Sequence, residues 1–104
     1  MILTIKERLA LQGIMPQNGG MSKMILVREL IKKTAITSED IQKTGMIDTP
    51  EGNTIWDAAK DPNIEITFNE SELALLKSSV EEADRDEKIT MDNLTLIEKI
   101  MGKQ

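Results

Sequence analysis

The chain has 104 residues, 39% of them hydrophobic and 30% charged, a balance that excludes a disordered chain and suits one domain able to bury a core without staples. It has no cysteine and no histidine, so disulfides, thiolate chemistry, the commonest general base and the commonest metal ligand are excluded. The formal net charge is −5, which argues against general binding to nucleic acid or an anionic membrane.

That charge is unevenly spread. Residues 1–50 carry seven basic against five acidic side chains, whereas residues 51–104 carry six against thirteen. Trp56 and Phe68 are the only aromatics, too few for a base-stacking platform. No apolar run approaches the roughly 20 residues of a membrane span. The N-terminal Met1–Arg8 segment turns charged within six residues, unlike a signal peptide. A single domain over 1–104, in the cytosol and with no membrane partner, is the expectation.

Thr4 and Glu7 form a capping-box pattern, which predicts a first helix from about Ile5 to Gln12, with Ile5 and Leu9 on its apolar face and Gly13 as a left-handed stop. Pro16 through Gly20 is a loop by composition. Ser22 then predicts the cap of a second helix, about Lys23 to Lys33, with a stripe of Met24, Val27, Leu30 and Ile31. Thr37 with Asp40 caps a short third helix that Gly45 ends. Next the period becomes alternating. Met46–Thr49 and Thr54–Trp56 flank Pro50-Glu51-Gly52-Asn53, a hairpin signature. Ile64-Glu65-Ile66-Thr67-Phe68 is the strongest strand pattern. Asn69 with Glu72 starts a fourth helix carrying Leu73, Leu76, Val80 and Ala83, and Thr90 starts a fifth, ended by Gly102, with Leu94, Ile97 and Met101 inward and Leu96 and Ile100 alongside. The predicted fold is α+β, in the order αααβββαα: about five helices packed on a small three-stranded antiparallel sheet.

Five patterns invite functional readings. Glu82, Asp84 and Asp86 have the spacing of the first calcium-loop ligands, but Glu87 stands where the turn needs glycine and Asn93 where it needs a bidentate glutamate. A solvated acidic connection explains them better, and no metal or other cofactor is expected. The hairpin after two helices resembles a winged-helix layout, with Lys23, Arg28, Lys32 and Lys33 as candidate phosphate contacts. The third helix, however, begins acidic, and Glu51 sits at the wing tip, so nucleic acid is the weaker reading. The acidic residues fall on polar faces with no apolar cleft implied, and the serines and threonines sit mainly at caps and turns, so a catalytic assembly is not expected. Met21, Met24, Met91 and Met101 suit a core or an adaptable interface. Trp56, in a hairpin too short to cover it, either packs on a helix or anchors a partner.

Leu3-Thr4-Ile5-Lys6-Glu7-Arg8-Leu9, Gly13-Ile14-Met15-Pro16, Ile64 through Glu70, and Lys88-Ile89-Thr90 together resemble small proteins of unassigned function encoded by bacteriophages and prophages. The resemblance covers most of the chain and implies an accessory protein that acts by binding. It carries no catalytic residues.

The leading expectation is therefore a non-enzymatic protein-binding module. Trp56 and its hairpin would make the contact, and Glu81, Glu82, Asp84 and Asp86 would steer a basic protein partner. The alternatives are a winged-helix-like nucleic-acid binder using the basic second helix, and a self-associating virion or assembly component.

Overall fold

The computed structural model describes residues 1–102. Its elements are β1 (Ile2–Leu3), α1 (Ile5–Ile14), α2 (Met21–Thr34), α3 (Ser38–Thr44), β2 (Ile47–Asp48), β3 (Thr54–Ile55), a 3-10 turn (Ala58–Lys60), β4 (Ile64–Glu65), α4 (Glu70–Arg85) and α5 (Met91–Met101). Mixed helix and strand content and five helices agree with the sequence reading. The single three-stranded sheet does not. There are two separate two-stranded antiparallel sheets, β1–β4 and β2–β3.

The reason is a strand that had no visible pattern. Ile2 and Leu3 are too few to show alternation, yet they pair with Glu65 and Ile64. This ladder takes β4 away from the hairpin, and an added bond from the Ile66 N–H to the Met1 carbonyl (2.8 Å) extends it. The five-residue strand expected at 64–68 shortens to two ladder residues, with Ile66 buried just beyond them.

Helix ends follow local chemistry, with two corrections. Gly13 does not stop α1; the helix runs on to Ile14 and ends at Met15, whose backbone is extended (ψ 148°) because the residue before Pro16 is pushed out of the helical region. Nor does Ser22 cap α2. Gly20 occupies the N-cap, and Ser22 is the second residue of the helix. The boxes at Thr4/Glu7, Thr37/Asp40 and Asn69/Glu72 form as predicted. The hairpin also forms, with Ile47 opposite Ile55 and Asp48 opposite Thr54. Its turn places Gly52 at φ +85°, where a side chain costs about 1 kcal/mol. Gly52→Ala should lower hairpin stability by that amount, which amide exchange of the turn would register; unchanged protection would refute the strain.

The core is made by helices packing on helices rather than on a sheet. Leu3, Leu11, Met15, Val27, Leu30, Ile66, Leu76, Val80, Leu96, Ile97 and Ile100 form its main cluster. The predicted inward faces hold in part, with Ile5 of α1 and Ile97 of α5 buried as expected. On α1, Leu11 is fully buried whereas Leu9 is 37% exposed. On α5, Leu96, Ile97 and Ile100 are buried, with Met101 packed against the cluster from its margin. No described helix is long and apolar enough to cross a membrane.

Candidate functional site

Three of the cap carboxylates do more than cap. Glu7 accepts at Oε1 from the Thr4 N–H (3.0 Å) and from Lys99 Nζ of α5 (2.7 Å). Asp40 accepts at Oδ2 from the Thr37 N–H (2.9 Å) and from Arg8 Nη1 of α1 (3.1 Å). Glu72 accepts at Oε1 from the Asn69 N–H (2.9 Å) and from Lys33 Nζ of α2 (2.6 Å). All three carboxylates are buried. Burial pushes each pKa up, but the cation and backbone bonds outweigh it. Asp40 is lowered to about 2, and Glu7 and Glu72 lie below the ordinary glutamate value. Each pair joins two helices, so these groups are committed to structure.

The predicted basic set is divided. Lys33 is spent on Glu72 and on the Thr67 carbonyl (3.0 Å). Arg28 and Lys32 lie 3.8 and 3.5 Å from Glu29. Lys23 is at the other end of α2, where it lines an open cleft of about 700 Å³. The structure does not gather the four into one free cationic face.

The predicted acidic set is exposed but also split. Glu82 and Asp86 line that cleft, together with Lys23, Lys88 and Asp92, over a floor that includes Ile14 and Ala83. Glu81 and Asp84 are exposed and do not line it. Both charge signs meet in the cleft, so it has no strong preference for either. Glu82 and Asp84 are still within α4, two residues apart and so on different sides of the helix. They do not wrap around a common point, and no group of three carboxylates among the described residues could hold a metal.

Trp56 belongs to a different part of the molecule. It is half-buried, outside the main cluster and outside the partly buried residues packed against it. Its segment leaves the body after α2 and rejoins it at β4, near Lys33 and Ile5. Lys33 meets Glu72 in the first turn of α4, whereas Glu82 and Asp86 are at the far end, roughly 20 Å away at 1.5 Å per residue. The acidic residues thus lie at the end of α4 away from the one that Lys33 holds.

Sequence reasoning missed the isoleucines on the hairpin. Ile47 and Ile55 are directly opposite each other, so both side chains share one face. They are 57% and 50% exposed. Ile41 of α3 in the same segment is 43% exposed. The opposite face is polar, where Thr54 Oγ1 donates to Asp48 Oδ1 at 2.7 Å. The signal was present in the hairpin register, which places Ile47 against Ile55 once the turn is fixed.

Compared with known proteins, the chain matches no family model, no curated protein and no solved structure at the significance applied.

Proposed function

We propose that the protein is a non-enzymatic binding module whose interface is the exposed apolar face of the β2–β3 hairpin. The observation that carries this reading is the cross-strand pair Ile47–Ile55, exposed on a two-stranded ladder with no third strand beside it among the described residues. Large apolar side chains set together in water favour a partner surface, and a free strand edge supplies backbone groups for pairing. Trp56 follows directly after β3 and is half-buried; a partner that also reached it would gain the side chain most often found at binding hot spots.

Charge indicates the kind of partner. Glu39, Asp48, Glu51 and Asp57 are exposed around the hairpin, against Lys43 and Lys60. Lys43 is already 3.0 Å from Glu39. A second copy would bring like charges together, whereas a protein segment with apolar and basic side chains would complement the rim.

The test is capture from a nuclease-treated bacterial lysate, comparing the wild-type chain with Ile47→Ser/Ile55→Ser and with Trp56→Ala. A basic protein retained by the wild type should be recovered about tenfold less by either variant, the loss of roughly 1.4 kcal/mol of contact. Both variants should keep the helical spectrum and lose only a few degrees of melting temperature. Equal capture by all three chains would place the interface elsewhere. Capture that disappears with nuclease would instead favour nucleic acid, and collapse of Trp56→Ala would assign that side chain to the fold.

A further inference from the structure

We infer that residues 35–63 open and close against the helical body as a unit, with the Arg8–Asp40 ion pair as the latch. Between Ala35 and Asn63 the only buried side chains are Asp40 and Thr44, and both are polar. None of the residues in this stretch joins the main apolar cluster or packs against it. Its parts hold one another instead. The Asp57 N–H donates to the Thr44 carbonyl (2.9 Å), the Met46 N–H to the Ile41 carbonyl (3.2 Å), and the Thr49 N–H to the Asn53 carbonyl (2.7 Å).

Links to the body are few and polar. Arg8 Nη1 donates to Asp40 Oδ2 at 3.1 Å and to the Ala35 carbonyl at 3.3 Å. The Ile5 N–H donates to Asp61 Oδ2 at 2.8 Å. Arg8 is 1% exposed, and its Nε and Nη2 have no acceptor among the described residues, so Asp40 alone neutralises it. Regions that open below the global unfolding limit are those with few buried apolar contacts. This segment meets that description, while α1, α2, α4 and α5 share one apolar cluster. The two chain connections, after Thr34 and before Ile64, are tied together by the bond from Lys33 Nζ to the Thr67 carbonyl (3.0 Å), so the unit can swing free without breaking that cluster.

Amide hydrogen exchange on the full chain tests this. Amides of α3 and the hairpin should exchange together, about tenfold or more faster than those of the buried helices. Asp40→Asn keeps an acceptor for the Thr37 N–H but removes the charge facing Arg8. It should speed exchange in 35–63 by about tenfold, and body amides that exchange through global unfolding by no more than that, whereas Leu76→Ala, which weakens the latched and unlatched forms alike, should speed the body amides and leave 35–63 within about twofold. Arg8→Met should do the same as Asp40→Asn from the other side of the latch; if Arg8→Met fails to fold, Asp40→Asn decides. Uniform exchange across segment and body in the wild type, or acceleration of 35–63 together with the body in Leu76→Ala, would overturn the inference.

Discussion

Leu11→Ala is expected to lower the unfolding free energy by about 3 kcal/mol, because it removes a fully buried side chain and leaves a cavity the neighbours fill only in part. A domain of this size holds about 5–15 kcal/mol in total, so the melting temperature should fall by roughly 10–20 °C. Leu9→Ala, two residues away on the same helix, should change stability by less than about 1 kcal/mol, since Leu9 is 37% exposed. The pair is informative because both substitutions change helix propensity identically. Only the direction each side chain faces differs. Urea unfolding with a shared m-value checks it. Equal losses from the two variants would mean that Leu9 is packed as deeply as Leu11.

The second large effect is on acid stability. Glu7, Asp40 and Glu72 each have a folded pKa below the ordinary value, Asp40 at about 2. At a pH between the two values the unfolded chain binds the proton and the folded chain does not, so unfolding takes up protons and acid favours it. The stabilisation is complete above the unfolded values of about 4. It is lost as pH falls towards the folded values, at up to about 1.4 kcal/mol per pH unit for each group. For Asp40 alone the lowering to about 2 corresponds to about 2 kcal/mol. Urea midpoints should therefore be level from pH 7 to about 5 and then fall steeply. Glu72→Gln keeps an acceptor for the Asn69 N–H while removing the ionisation, and should flatten the fall by one proton. A midpoint unchanged between pH 5 and 3 would show that these ion pairs add nothing to stability.

The same three carboxylates mark the limit of sequence reading. Thr4-x-x-Glu7, Thr37-x-x-Asp40 and Asn69-x-x-Glu72 were legible because a cap is local; donor and acceptor are three residues apart and backbone geometry brings them together. Their cations, Lys99, Arg8 and Lys33, are 92, 32 and 39 residues away, and no pattern in the chain selects them from the other basic residues. Reading Lys33 as a free phosphate contact failed for that reason. Arg8, the most deeply buried cation, has nothing in its neighbourhood to set it apart from a solvated arginine.

The candidate interface shows the same division. Pro50-Glu51-Gly52-Asn53 predicts the hairpin, and the hairpin register alone pairs Ile47 with Ile55. Whether that pair is covered depends on what packs over it, which is a tertiary matter.

By itself, then, the sequence determined the starts of α1, α3, α4 and α5, the hairpin turn, the absence of cysteine and histidine and the mixed α+β class, most of them consequences of contacts within a few residues. The tertiary structure decided the partner of β4, the faces that α1 and α5 bury, the ion pairs between helices and the exposure of the hairpin. Those depend on which distant surfaces meet. Two-residue strands and lone charges carry too little local pattern to specify that, and the burial of apolar area that does specify it belongs to the assembled chain as a whole.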